Sequence, residues 1–169
     1  VYVGQKHENS MLFLRAMDKF TAVHIQGTEG ASAPFFSPDG KWIAFYELKS
    51  MTSKEQIDDG LYIMPTDCLE DHVSCQELID GPYKIPNTFG SIPVWSKDSQ
   101  FLAVVTYEDR LIRIFDITKR KVIKTLQVDV EADKLIMVDW LISGELIISV
   151  RNQDDFYSFD LIQYQPDTD

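Results

Sequence analysis

Helical periodicity is what this 169-residue sequence most lacks. No window sustains an apolar repeat of about 3.6 residues, which excludes a helical bundle. No apolar run approaches the roughly 18 residues that a membrane-spanning helix needs, and no basic-then-apolar leader is present, so no membrane insertion by this segment is expected. The chain begins at Val1 rather than at methionine, and any leader or upstream domain is expected to have been removed. Basic residues are scarce as well: 16 Lys and Arg stand against 27 Asp and Glu, a formal charge of −11. With no basic stripe to compensate, that balance argues against nucleic acid as partner and favours a cationic or small neutral one.

Catalytic motifs are also missing. Gly30-Ala31-Ser32-Ala33-Pro34 falls one residue short of a nucleophile elbow and ends in Pro34. It also precedes an antiparallel strand, whereas an elbow joins a strand to a helix. There is no Gly-rich phosphate loop and no His-Glu-x-x-His. His7, His24 and His72 are scattered, and His24 falls mid-strand, where a structural role is expected. The paired acids Asp58-Asp59 and Asp154-Asp155 read as turn residues before they read as a hydrolytic pair. The expectation is no catalytic residue, no cofactor and no metal, hence no enzyme.

Cysteine is limited to Cys68 and Cys75, seven apart. Three readings compete: a disulfide across a strand-to-strand loop in an exported protein, two free thiols in a cytosolic one, or a metal site with His72. Zinc wants four ligands, so the last would need Asp67, Asp71 or Glu77 as well. The disulfide is the expected state.

What the sequence does have is strands. Apolar residues make up 44% and aromatics 12%, a composition that leaves little room for disorder and suits sheets. Short runs such as "WIAFYEL", "FLAVVTYE" and "ELIISV" are separated by Gly, Pro, Asp, Asn and Ser. Aligning "LFLRAMD", "LYIMPTD", "IRIFDIT" and "FYSFDLI" gives starts 49, 51 and 44 residues apart. A second landmark keeps the same beat: Phe36, Trp95 and Trp140 each precede a polar turn and then an apolar strand opened by Trp42, Phe101 and Leu146. Four antiparallel strands in a repeat of about 40–50 residues describe a β-propeller blade. The chain therefore reads as one all-β domain, 1–169, with about four blades at 1–27, 28–81, 82–129 and 130–169. The first blade lacks its opening strand and the last its closing strand. Pro38-Asp39-Gly40 is the turn between the first two strands of the second blade, with Gly40 supplying a positive φ.

The stretch "GTEGASAPFFSPDGKWIAFYE" resembles the TolB-like (WD-repeat-like) β-propeller family, whose repeat centres on a Ser-Pro-Asp-Gly turn followed by an aromatic and an apolar strand. The match is strong over 27–48, fair over 90–104, where "WSKDSQFLAV" lacks the Pro and the Gly, and weak over 135–150. The same stretch is similar to propellers attached to bacterial serine/threonine kinases. The loop bracketed by Cys68 and Cys75 resembles insertions in exported members. These resemblances imply an extracytoplasmic bacterial module: periplasmic, secreted or at the cell surface.

In a propeller, the loops joining strand four to the next strand one share an end with those joining strands two and three. Binding residues concentrate on loops held by a rigid scaffold. The candidate ligand face is accordingly Asp58, Asp59, Tyr83, Phe89, Glu108, Asp109, Asp154 and Asp155. The leading function is a non-catalytic binding or scaffold module for a protein, peptide or small ligand. The alternative is the gating propeller of a prolyl-oligopeptidase-like peptidase whose hydrolase domain lies outside this chain. Expected partners are a protein or peptide, further blades of a parent chain, or a second copy.

Overall fold

The turn that opens each repeat is built by a serine and an acid. A computed structural model describes residues 1–6, 9–15, 17–47, 60–67, 83–85, 93–106, 109–127, 134–152 and 159–164. At Ser37 the hydroxyl donates to Asp39 Oδ1 at 2.6 Å and accepts from the Trp42 amide at 3.0 Å. The Lys41 amide donates to the same carboxylate at 3.1 Å, and the Gly40 amide closes the turn on Ser37 O at 2.9 Å. Pro38 presets the first turn position, and Gly40 sits at φ 72°. The second version, Ser96-Lys97-Asp98-Ser99, has neither Pro nor Gly but makes the same bonds. Ser96 Oγ donates to Asp98 Oδ1 at 2.6 Å, the Phe101 amide to Ser96 Oγ at 2.9 Å, and the Gln100 amide to Asp98 Oδ1 at 3.1 Å. Ser99 takes the glycine's place at φ 62°. The third turn keeps a glycine, Gly144 at φ 91°, and ties Ser143 Oγ to Glu145 Oε2 at 2.6 Å.

These turns join strands in two compact units, Val1–Pro86 and Asn87–Asp169. The first unit holds β1 (Tyr2–Lys6), β2 (Asn9–Leu14) and β3 (Val23–His24) as one antiparallel sheet in that order. Its second sheet is β4 (Ala31–Phe36), β5 (Trp42–Glu47), β6 (Gly60–Pro65) and β7 (Tyr83–Ile85), also in chain order. Leu12, Ile25, Ala31, Ile43, Phe45 and Met64 form the core of this unit. The middle strand β5 reads as a continuous apolar run because Ile43, Ala44 and Phe45 are all buried.

The second unit repeats the plan. β8 (Val94–Trp95), β9 (Phe101–Val105), β10 (Leu111–Asp116) and β11 (Lys121–Gln127) form a four-stranded antiparallel sheet. β12 (Lys134–Trp140), β13 (Leu146–Asn152) and β14 (Phe159–Tyr164) form a three-stranded one. Here β12 alternates cleanly: Ile136, Val138 and Trp140 are buried while Met137 and Asp139 are exposed. Trp140 joins the sheets by stacking on Phe101 at 6.2 Å between ring centroids and donating from Nε1 to Val94 O at 3.1 Å. Among the described residues the sheets thus hold three, four, four and three strands, the blades of a partial propeller. No α-helix occurs among the described residues.

One strand differs from expectation. The sequence places the fourth strand of the second blade at "CQELID" and reads 81–92 as a connection. In the structure the described fourth strand is β7, with Tyr83, Lys84 and Ile85 opposite Ile63, Tyr62 and Leu61. Three residues between prolines carry too little period to announce a strand; burial of Ile85 against β6 makes one. The stretch 75–80 lies outside the described residues.

Candidate functional site

Connections in an up-and-down sheet alternate between its two ends. In the first unit 25–30 lies at the same end as the close of β5 and the start of β6; in the second unit the β9–β10 turn lies at the end where β13 closes. These are the ends expected to carry ligands. Two pieces of them are described in detail, and each is fixed by internal hydrogen bonds.

The first is the link from β3 to β4. Gly27 at φ 77° and Gly30 at φ 83° let the chain reverse tightly. Thr28, 1% exposed, accepts the Leu12 amide at 3.1 Å on Oγ1 and donates the same hydroxyl to Ile25 O at 2.6 Å. The Gly30 amide donates to Ser10 O at 2.7 Å, so the link is bonded to β2 at both ends. Only Gln26 and Glu29 of this link are exposed.

The second is the β9–β10 turn, where Asp109 stands. Arg113, on β10, grips the Asp109 carboxylate with both terminal nitrogens, and Nη1 lies 3.1 Å from Oδ1. Nη1 also donates to the Thr106 hydroxyl, which lies against Asp109 Oδ1 and 3.0 Å from Leu111 O. The Leu111 amide donates to Asp109 Oδ1 at 3.2 Å. A forked guanidinium on a carboxylate is a strong charge-assisted pair. Hydrogen bonding from Arg113 holds the Asp109 carboxyl well below the usual carboxylate range; partial burial opposes this, and the Thr106 and Leu111 donors add to it. Such a group does not exchange protons near neutral pH, so it serves as fixed charge and turn latch.

The remaining expected site residues fall as follows. Tyr83 is in strand β7, opposite Ile63, rather than in a loop. Asp58, Asp59, Phe89, Glu108, Asp154 and Asp155 lie outside the described residues, as do Cys68 and Cys75. Thr106 and Arg113 were missed from sequence; a Thr-x-x-Asp-x-x-x-Arg spacing across a hairpin was the available signal. Among the described residues no group of three or more His, Cys, Asp or Glu side chains is placed to hold a metal ion. No helix there is long and apolar enough to cross a membrane.

No family model and no curated protein matches the sequence. Solved structures do match in fold. The β-propeller domain of the trilobed protease from Pyrococcus furiosus, described as having an open velcro topology, aligns over 97% of this chain and 49% of its own, with a TM-score of 0.66 and 17% identity. Hydrazine synthase from Kuenenia stuttgartiensis aligns over 95% of this chain and 56% of its own, with a TM-score of 0.53 and 9% identity. The chain thus spans about half the length of these neighbours. Four antiparallel sheets, repeated Ser-x-Asp turns and this likeness together give the chain the all-β fold of a partial β-propeller.

Proposed function

We propose that the chain is a non-catalytic recognition module of the TolB-like kind, working outside the cytoplasm of a bacterium and binding a protein, peptide or small ligand at its loop ends. The observation that carries this reading is the way the loop ends are held: Arg113 and Thr106 fix Asp109 in the β9–β10 turn, as Thr28 fixes the β3–β4 link, and binding residues concentrate on loops held by such a scaffold. Asp58, Asp59, Asp154 and Asp155 extend the acidic character of the loops in sequence, which favours a cationic peptide. The test is calorimetric titration with short peptides of alternating charge. Saturable binding of the cationic peptide, weakened by Asp58→Asn with Asp59→Asn and untouched by Asp98→Asn in the β8–β9 turn, is the expected result. Equal affinity for cationic and anionic peptides sinks the reading.

A second reading is favoured by one observation, the fold likeness to the propeller domain of a protease. The chain would then gate access to a hydrolase domain, with further blades from a parent chain or a second copy. A gate shows no saturable peptide binding of its own, so the same titration separates the two. The extracytoplasmic part of the proposal rests on Cys68 and Cys75 pairing as a disulfide. Intact mass after alkylation without reductant should show no thiol modified; two modified thiols would remove that support.

A further inference from the structure

Connections between strands favour small and polar residues, so a large apolar side chain at such a place calls for a reason. Three large apolar side chains among the described residues stand almost wholly in solvent: Met17 at 99%, Phe20 at 101% and Ile142 at 90% exposure. At that exposure they pack on nothing in the chain, and Met17 and Phe20 do not pack on each other. The next, Met137, is 51% exposed and lies in a strand. All three sit at the end of their own unit opposite the loop ends described above, Met17 and Phe20 in the β2–β3 link and Ile142 in the β12–β13 turn.

The fold does not need these side chains where they stand. The β12–β13 turn closes through the Gly144 amide on Leu141 O at 3.0 Å, as the earlier repeat turns close through Gly40 on Ser37 O and Ser99 on Ser96 O, both at 2.9 Å. Ile142 occupies the place that Pro38 and Lys97 hold in those turns. In the first unit the β2–β3 link runs from 15 to 22, and Arg15, Asp18 and Lys19 are exposed beside Met17 and Phe20. Two bases against one acid make this link locally positive in a chain of formal charge −11. Phe36, which closes β4 at the same end of the unit, is half-exposed.

We propose that the β2–β3 link is a membrane-docking loop, which sets Met17 and Phe20 into the headgroup–acyl boundary of an anionic bilayer while Arg15 and Lys19 meet lipid phosphates beside them. This is contact with a surface: apolar side chains enter the boundary shallowly, bases bind anionic headgroups, and no segment spans the membrane. A bilayer accepts isolated prongs without a shaped pocket. A protein groove is the weaker match, because it needs a contiguous patch packed to complementarity, and Met17 and Phe20 stand apart. The β2–β3 link and the β3–β4 link lie at opposite ends of β2, whose 6 residues span about 20 Å. That exceeds the roughly 8 Å over which charge acts at physiological salt, so acids at the far end oppose the approach only weakly. Peptide binding at the loop ends is a separate matter, and docking stands or falls without it.

The probe is a vesicle of phosphatidylglycerol and phosphatidylcholine, with binding read by cosedimentation. The expected result is binding that weakens with salt and falls about tenfold or more in Met17→Ser with Phe20→Ser. Arg15→Gln with Lys19→Gln should weaken it on these vesicles and change little on phosphatidylcholine alone. Met137→Ser, in a strand, should bind as the unaltered protein does. Depth is read on Phe20→Trp, whose added emission should be quenched by lipids brominated on the acyl chain. Docking is ruled out if the unaltered protein does not bind the anionic vesicles or if the double serine variant binds equally well. It is also ruled out if the tryptophan of Phe20→Trp escapes quenching, the outcome expected if a protein groove is the true acceptor. All the altered link side chains are exposed, and quenching of Phe20→Trp decides the matter even where a double variant does not fold.

Discussion

Single residues decide the repeat through two different physical demands. The first is backbone handedness. Nothing lies within 4 Å of a Cβ built on Gly40, so any cost of substitution there comes from its φ of 72° alone. Gly40→Ala should lower stability by about 1 kcal/mol, the usual cost of an L-residue in the left-handed region. Gly40→Asn should cost less, because asparagine visits that region more readily. Urea denaturation of the two variants tests the order; equal losses would mean that the side chain, not the backbone, matters. The second demand is hydrogen-bond satisfaction. Thr28→Val keeps the shape of a buried side chain but removes the acceptor of the Leu12 amide and the donor to Ile25 O. Leaving buried groups unpaired costs about 2 kcal/mol, whereas Thr28→Ser keeps the hydroxyl and should cost less. If the valine variant is as stable as the serine variant, the hydroxyl is not what joins β2 to the β3–β4 link.

Among elements, the β9–β10 turn is where electrostatics and fold meet. Asp109 has a folded-state pKa held below its unfolded value of about 3.9, so the folded protein takes up its proton later than the unfolded chain. The stabilisation is therefore complete above that unfolded value and is lost as the pH falls below it. Its side chain is 38% exposed, so solvent screening keeps the contribution to about 1 kcal/mol. Asp109→Asn should reduce stability near neutral pH, and the gap from the unaltered protein should close in acid. A gap that stays constant from neutral pH to acid would show that Arg113 does not act through charge. Elements also show what sequence carries and what it does not. Ser96-Lys97-Asp98-Ser99 was legible as a repeat of Ser37-Pro38-Asp39-Gly40 because a hydroxyl and a carboxylate two residues apart build the turn locally. The run Ile43-Ala44-Phe45 was legible as strand because burial on both faces makes it continuously apolar. β7 was not legible, since Tyr83–Ile85 becomes a strand only by pairing with β6. The acid at 109 was counted as a free loop charge because its partner Arg113 lies across the hairpin, and Thr28 gave no sign of its bond to a strand 16 residues earlier.

At the scale of the whole molecule, the first and last sheets each hold three strands among the described residues. β5, β9 and β13 open their blades' second position with a neighbour on each side, whereas β1, in the same position, has only β2 among the described residues. β6 and β10 have two neighbours at the third position, whereas β14, among the described residues, has only β13. Backbone donors and acceptors along such strands need partners, and Tyr2 at 45% and Val3 at 40% exposure leave apolar surface beside β1. Strands from further blades or from a second copy would meet that need, and the formal charge of −11 opposes the second. Salt screens like-charge repulsion over about 8 Å at physiological strength, so added salt should favour association of copies. Sedimentation at rising salt should therefore show species heavier than one chain growing in. A single-chain species at every salt concentration, with slow amide exchange along β1 and β14, would mean that those edges are already filled from within the chain.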